Sequence, residues 1–542
     1  MLGLARKLTV GTEEFFAEIG AVTMSSTPSP SASASATGWR SFSRRSVPWL
    51  LGIVCLAVGL RWFHLGAFDL WYDEACSAFL LDHFSHLLED YHPPLYYLML
   101  HGWSRLFGSN AVALRSLSVV GSVLAIPLVW RLANDLGGRR VAILSALWIA
   151  LSPYHIWYAQ EARGYAWLTF FVTLAVWCWW RWLGYPDARR YYWGFVCAAA
   201  ASIATAYGAA WSLAALPCAL VGVTERTVRR RMLRPYVWVA VVGVLLMPLV
   251  ALQGTAVLRG WFWIPPVNAV NVGWSIGEML FGYENASWVE MVLYGSLYVY
   301  GLLAVSRARR DVAWLLLATS AIPVLLSIAV SLWRPLFLPR QLMPVTVSFW
   351  IAVAFGAVHG WQRVAPRWPV VTRSLAALLV VCLAHGLYHQ YADVLPRSKP
   401  PYRPIFEYVR DRWQPGDLLV HTIPMTVYPA WYYGDRSVPC GKLLLRPSAD
   451  GSPASVEMFW GFRHTADQPI TRHATLEELL GGRFQRAWVL YGSWERDGTM
   501  HPDGLALRRW IGGQLMSTAE SVCVGDILIE RYDRSALRAG VS

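Results

Sequence analysis

The sequence predicts an α-helical polytopic membrane protein of about eleven spanning helices, with further helices on the outer membrane surface and a small C-terminal α/β domain. Three observations carry that prediction. Of 542 residues, 56% are hydrophobic and the mean hydropathy is +0.36, well beyond a soluble chain of several domains. The arginines fall in short clusters between apolar runs, which is membrane topology, so the formal charge of +13 does not point to nucleic acid. After Leu395 the long apolar runs stop and short helix-like and strand-like stretches alternate.

Residues 1–44 hold no sustained apolar run, and the Ser/Ala/Pro tract TMSSTPSPSASASATGW cannot bury enough surface to fold; the segment reads as a disordered cytoplasmic tail. Residues 4–20 have the pattern of a short helix, Met24 is an alternative start, and no cleavable signal peptide is evident. The membrane domain covers 45–395. Its first span, about Pro48 to Phe63, follows Arg40, Arg44 and Arg45, which hold its start in the cytoplasm and deliver the next loop outside. The apolar piece Leu95–Phe107 has only about thirteen residues where a bilayer core asks for about twenty, so it and 74–90 are expected as outer juxtamembrane helices.

Arginine clusters then mark each cytoplasmic turn: Arg131/Arg139/Arg140, Arg181/Arg189/Arg190, the run TERTVRRRMLRP, Arg307/Arg309/Arg310 and Arg363/Arg367/Arg373. The spans between them are 112–131, 140–154, 164–182, 191–206, 209–223, 236–252, 287–304, 312–333, 342–358 and 374–391. The amino terminus is inside and the carboxyl terminus outside. Only Lys7, Lys399 and Lys442 supply lysine, so the basicity is almost all arginine, a compositional bias given no functional weight.

This topology puts the unusual polar stretches on one face. YHIWYAQEARGYA (154–166), RGWFWIPP (259–266) and RPLFLPRQLMP (334–344) share the outer side with DLWYDEACSAFLLDHFSHLLEDYHPPL (69–95). The last sets two adjacent carboxylates, Asp73 and Glu74, behind Trp71-Tyr72 and ahead of a His-Pro-Pro turn, at a distance one amphipathic helix fills. An acidic pair at the edge of an apolar segment is costly to desolvate and points to function. The blander reading is that Asp73 caps a helix beginning at Glu74. Each outer arginine taken singly reads as an interfacial anchor; grouped with Glu161 and the acid pair, they read as a site.

Such a site suits sugar transfer from a lipid phosphate. A carboxylate accepts the proton of an attacking hydroxyl while cations hold a departing phosphate, whose low basicity removes the need for a general acid. In-line displacement inverts the anomeric bond, as in glycosidases that use a base carboxylate. Asp73 is the expected base, and Glu74 is expected to orient the acceptor or support Asp73 as a coupled partner. His92, Arg163 and Arg340 are expected on the phosphate, Glu161 on the Arg163 guanidinium or a sugar hydroxyl, with Arg115 a weaker candidate. Asp73, Glu74, His92 and Glu161 are also donor types for a divalent cation, although their spacing fits no metal motif.

The Pro-rich segment RSKPPYRP links to the 396–542 domain, where YRPIFEYVRDRW, TLEELLGG and ALRRWIGGQL read as helices and LLVHTI, AWVLYGS and DILIERY as strands. It carries no nucleophile-elbow or phosphate-loop signature, and is expected to cover the site or bind acceptor. Five of the eight cysteines, Cys55, Cys178, Cys197, Cys218 and Cys382, sit in apolar runs, and none has metal-site spacing. An oxidising compartment would permit a bridge between Cys440 and Cys523.

WYDEA followed by HPPLYYLMLHGWSRLFG, LRSLSVVGSVLAIPLVWRLANDLGGRR and LSPYHIWYAQEARGYA resembles the C-type (GT-C) membrane glycosyltransferases. The similarity is to the bacterial branch related to protein O-mannosyltransferases and to the aminoarabinose transferase of lipid A. It is specific over about 50–185 and recurs at PRQLMP and at PYRPIFEYVRDRWQPGDLLV; over 190–330 it is hydropathy alone. The resemblance implies a polyprenyl-phosphate-sugar donor, an envelope acceptor (glycolipid, polysaccharide or protein), a multi-pass place in the inner (plasma) membrane, and an extracytoplasmic site. The acidic catalytic residue it implies in the first outer loop falls on Asp73, with Glu74 beside it. It also supports His92 in the HPPL position, where the aminoarabinose enzyme's motif has lysine.

Other classes remain. A flippase of lipid-linked sugars would place ionisable residues at the bilayer midplane on broken, repeated helices, and neither feature is evident. A non-enzymatic binder of polyprenyl lipids would need no precisely placed acid.

Overall fold

The structure is a computed structural model that describes residues 46–84, 87, 92–259, 264–282, 287–434, 440–446, 455–460, 486–492, 508, 517–524 and 527–533. The expected amino-terminal tail, the TLEELLGG helix, nearly all of the ALRRWIGGQL helix and much of the 259–266 loop lie outside them.

Fifteen helices of the membrane half are described: α1 Val47–Trp62, α2 Tyr72–Asp82, α3 Leu95–Phe107, α4 Ala111–Leu151, α5 Pro153–Ala159, α6 Tyr165–Gly184, α7 Arg189–Thr205, α8 Ala209–Ala215, α9 Arg226–Leu233, α10 Tyr236–Arg259, α11 Ala269–Phe281, α12 Trp288–Ala308, α13 Arg310–Ser331, α14 Val345–Val364 and α15 Pro369–His389. Among the described residues five helical segments are long and apolar enough to cross a membrane: Ala111–Leu151, Arg226–Gln253, Trp288–Ala308, Arg310–Ser331 and Pro369–Val394. α6 and α14 have 20 residues each, but Trp, Thr and Ser replace much of their aliphatic content and face the bundle interior.

The helices follow the apolar runs, with three departures. The expected pair 112–131 and 140–154 is one helical stretch broken at Gly138, whose φ of 80° lies where glycine is favoured and falls between the expected spans. The expected span 209–223 is instead α8 followed by a 3₁₀ segment, Leu216–Gly222, in which Pro217 removes a backbone donor. The juxtamembrane helix expected from 74 to 90 is α2, which begins at Tyr72 and ends at Asp82. Its N-cap is Trp71, not Asp73: Glu74, third residue of the helix, reaches back to the Trp71 N–H at 3.3 Å.

Small residues let helices approach closely where no water could hydrate a gap. A methyl group at Gly301 of α12 would stand 2.0 Å from the Ala352 carbonyl oxygen of α14, and one at Gly356 would stand 2.0 Å from the Leu297 carbonyl oxygen. Arg61, fully buried near the end of α1, donates to Ser122 Oγ at 2.8 Å and to the Ala150 and Ile149 carbonyls at 2.9 and 3.0 Å, satisfying orphan acceptors at the end of α4.

The carboxyl-terminal part opens with α16, Tyr402–Asp411, and strand β1, Asp417–His421, then α17, Val427–Tyr433. Strands β2 Cys440–Arg446, β3 Ser455–Trp460, β4 Arg486–Gly492, β5 Ser517–Val524 and β6 Ile527–Asp533 complete a mixed sheet in the order β3-β2-β1-β4-β6-β5. β1 pairs in parallel with β2 and β4, and the outer pairings are antiparallel. The three strands read in the sequence are β1, β4 and β6, the centre of the sheet. Three strands separate Cys440 in β2 from Cys523 in β5, about 19 Å at the usual strand spacing, so the bridge between them is excluded.

This part of the chain docks on α2 and the loop that leads into it. Tyr428 and Trp431 of α17 pack on Phe79 of α2, each with ring centroids 5.2 Å apart, and the Leu70 N–H donates to the Tyr433 hydroxyl at 2.6 Å. The Arg403 N–H donates to Asp69 Oδ2 at 2.8 Å.

Gly301→Leu and Gly356→Leu should each lower stability by about 1–3 kcal/mol or more through overpacking, read as Tm of the detergent-purified protein. Gly52→Leu, with nothing within 4 Å of the added atom, should leave Tm unchanged.

Candidate active site

Glu74 and Asp73 are neighbours in α2, and successive helical residues point about 100° apart. Glu74 therefore turns inward and Asp73 toward the cleft. Glu74 is fully buried and its carboxylate is saturated: Arg115 of α4 donates from Nε to Oε1 and from Nη2 to Oε2, both at 2.7 Å. The Ala162 N–H reaches Oε1 at 3.0 Å and Lys399 Nζ reaches Oε2 at 3.3 Å. The same guanidinium donates to the carbonyls of Leu65, Phe68 and Asp69 at 2.8 to 2.9 Å, fixing the loop that enters α2. Burial alone would raise the Glu74 carboxyl, but Arg115 and Lys399, helped by hydrogen bonds from Arg115 and the Ala162 N–H, hold it down at about 2. This geometry agrees with the second of the two roles expected of Glu74, supporting Asp73: its carboxylate holds the chain that leads into α2. Arg115 likewise belongs to this structural pair.

Asp73 faces the other way. Arg340, on the turn Pro339–Leu342 before α14, donates from Nη1 to Asp73 Oδ2 at 3.0 Å, and its guanidinium lies 5.7 Å from the Tyr165 ring centroid. Both partners are about one-sixth exposed, Arg340 at 17% and Asp73 at 16%. Arg163 donates from Nη1 to the Tyr97 hydroxyl at 3.0 Å and from Nη2 to His92 Nε2 at 2.9 Å, with longer 3.4 Å contacts to the Asp73 carbonyl and Ser77 Oγ. An arginine N–H can only donate, so the ring nitrogen of His92 accepts. His92 thus orients Arg163. The His92 carbonyl accepts from Gln253 Nε2 at 3.2 Å, and Tyr207 donates to Gln253 Oε1 at 2.7 Å, tying the turn between α7 and α8, and α10, to this corner.

Glu161 lies in the turn between α5 and α6 with 1% of its surface exposed, and its Oε2 has no hydrogen-bond partner. Lys399, Glu74, Asp73 and Arg340 surround it electrostatically; burial, with the two carboxylates, pushes its carboxyl up to about 8 against the pull of Lys399 and Arg340. Arg163 makes its contacts with His92 and Tyr97, so the expected Glu161–Arg163 pairing is not formed.

The structure thus gathers Asp73, His92, Arg163, Arg340 and Glu161 at one end of the helices, with the Glu74 carboxylate beside them but taken up by Arg115, Lys399 and the Ala162 N–H. Among the described residues no three His, Cys, Asp or Glu side chains form a group placed to hold a metal ion. Lys399 escaped the sequence reading; its only signal was rarity in a lysine-poor chain. Tyr97, Ser77 and Gln253 gave no signal apart from ordinary helix positions.

Residues 91–252 match the family model described as dolichyl-phosphate-mannose-protein mannosyltransferase. No curated protein matches the chain. Among solved structures, ArnT from Cupriavidus metallidurans in the apo state aligns with a TM-score of 0.60 at 14% identity, over 90% of this chain and 98% of that one. ArnT bound to undecaprenyl phosphate aligns with a TM-score of 0.58 at 14% identity, over 92% and 98%. Archaeal oligosaccharyltransferase AglB from Archaeoglobus fulgidus, in complex with an inhibitory peptide and a dolichol-phosphate, aligns with a TM-score of 0.50 at 11% identity, over 90% and 88%. At these identities the structures establish a shared fold. With the family model, they bear out the resemblance to GT-C membrane glycosyltransferases.

Glu74→Gln should cost about 3–5 kcal/mol, because it leaves Arg115 and Lys399 buried without a counter-charge. The pH dependence has a definite sign. Glu74 ionises at about 2 when folded against a reference of 4.5, so its stabilisation is complete above pH 4.5 and drains away as pH falls toward 2. Glu161 acts oppositely, its ionisation opposing folding as pH rises from 4.5 through about 8. Thermal unfolding across pH 3–9 (a range of about six units) should therefore lose its acid limb in Glu74→Gln and flatten its alkaline limb in Glu161→Gln.

Proposed function

We propose that this protein is an inverting membrane glycosyltransferase that moves a sugar from a polyprenyl-phosphate carrier to an envelope acceptor on the extracytoplasmic face of the inner membrane. The observation that carries the reading is the Asp73 carboxylate paired at 3.0 Å with Arg340 and flanked by Arg163, in the loop that the arginine topology puts outside. The fold shared with ArnT bound to undecaprenyl phosphate supports a lipid-phosphate donor.

In this reading Asp73 accepts the proton of the acceptor hydroxyl as its oxygen attacks the anomeric carbon. The bond from that carbon to the phosphate oxygen breaks, and polyprenyl phosphate leaves with the electron pair. Arg340 and Arg163 stabilise the charge that develops on the phosphate, and a planar guanidinium suits two phosphate oxygens at once. His92 and Tyr97 hold the Arg163 fork in place, so little reorganisation is required as charge moves. Glu161 is suited to accept a hydrogen bond from a sugar hydroxyl. No metal enters this scheme.

Asp73→Asn should lower transfer by about 10²–10⁴ with donor affinity little changed, whereas Arg163→Ala or Arg340→Ala should weaken donor binding and turnover together, with lysine rescuing only in part. Steady-state release of polyprenyl phosphate from a polyprenyl-monophosphate sugar, supplied with envelope extract as acceptor, measures both. Direct transfer from a nucleotide sugar without lipid carrier would sink the donor assignment. Activity lost to a chelator and restored by a divalent cation would make Asp73 a metal ligand. A reporter fused after residue 108 should read outside and one fused after residue 137 cytoplasm; a cytoplasmic signal at 108 overturns the orientation. Mass analysis of envelope glycolipids and glycans in a deletion strain identifies sugar and acceptor.

A further inference from the structure

Lys399 belongs to neither half of the protein. It follows the helical turn Leu395–Ser398 and precedes α16, which begins the C-terminal domain at Tyr402. A lysine on a Pro-rich linker is ordinarily solvated, yet this one is 4% exposed. Its ammonium group donates to the Gln160 carbonyl at 3.0 Å and to Glu74 Oε2 at 3.3 Å, and stands 5.6 Å from the Trp157 ring centroid. Gln160 itself donates from Nε2 to the Phe63 carbonyl at 2.7 Å. The lysine is therefore pinned between α2 and the turn that carries Glu161. Four residues on, the linker is fastened to the same loop by the Arg403 N–H on Asp69.

Glu161 needs such a neighbour. It is buried with an unpartnered carboxylate oxygen and faces two like charges, Glu74 and Asp73 of α2. The cations that oppose them are Lys399 from the linker, Arg340 from the turn before α14 and Arg115 of α4, of which Arg340 is already paired with Asp73 and Arg115 with Glu74. Lys399 in turn faces Glu74, Glu161 and the Arg115 guanidinium of α4.

We propose that Lys399 is a positioning residue of the transfer site: through it the docked linker sets the charge and orientation of Glu161 for hydrogen bonding to the donor sugar. The proposal rests on the transferase reading above. It makes the C-terminal domain a structural condition for sugar binding, because withdrawing the linker withdraws the cation. Burial pushes Glu161 up to about 8, and Lys399 exerts the largest opposing pull, so loss of the lysine neutralises the acid over a wider pH range.

The test uses the full-length protein in lipid nanodiscs with a polyprenyl-phosphate sugar as donor. Lys399→Met keeps the length of the side chain and removes its charge. It should raise the KM for donor by about ten-fold or more while kcat changes by less than about three-fold, with partial recovery in Lys399→Arg. The rise in donor affinity with pH, which follows ionisation of Glu161, should move to higher pH in Lys399→Met and vanish in Glu161→Gln. In a Glu161→Gln background, Lys399→Met should change the KM by less than about two-fold. An equal KM penalty in both backgrounds, or a loss confined to kcat, overturns the proposal.

Should Lys399→Met fail to fold, Lys399→Gln, which keeps a hydrogen-bond donor for the Gln160 carbonyl while removing the charge and leaves the Glu74–Arg115 pair intact, carries the same comparison. Wild-type protein that releases no polyprenyl phosphate overturns the transferase reading instead. Hydrogen exchange at the amides of 160–164 then decides the Lys399 contact: Lys399→Met must quicken it by about ten-fold, and an unchanged rate overturns it.

Discussion

The structure of the outer face depends on one buried ion pair. Glu74 and Arg115 exchange two charge-assisted hydrogen bonds of 2.7 Å at 0% and 1% exposure. Desolvating both groups is expensive, and the cost is offset only because every remaining donor and acceptor is used. Arg115 spends its other N–H groups on three carbonyls of the 65–69 loop, and Glu74 takes a backbone N–H from the 160–164 turn. Two loops nearly ninety residues apart are thereby fixed to one another. Asp73 and Arg163, which sit on those loops, inherit their relative placement from a pair that touches neither of their reacting atoms.

That arrangement explains how a single acidic dipeptide serves two purposes. The helical turn sends one carboxylate inward, where it is permanently satisfied, and the other into the cleft, where it shares a single guanidinium with solvent. The Arg163 side chain is held by the Tyr97 hydroxyl and a ring nitrogen of His92, which fix the direction of its guanidinium.

The domain beyond the membrane helices is more than an appendage in this arrangement. Its helix Val427–Tyr433 covers the outer face of Tyr72–Asp82 with aromatic rings, while its linker passes beneath with Lys399. Aromatic packing excludes water from the back of α2, which strengthens the electrostatic contacts inside. The domain and the acidic loop are consequently one folding problem.

Sequence alone determined the membrane class, most of the helices, the central strands of the sheet and the polar stretches gathered around Asp73, because hydropathy and charge are local properties of the chain. Asp73, His92, Arg163, Arg340 and Glu161 were readable as a set for that reason. Tertiary structure alone decided which member of the Asp73-Glu74 pair faces the cleft, since adjacent residues share every local property and differ only in the direction the folded helix gives them. It also brought His92 against Arg163, separated Cys440 from Cys523 by three strands, and brought Lys399 to a partner 325 residues distant. A buried ion pair is a property of two positions in space, and no pattern along the chain encodes the distance between them.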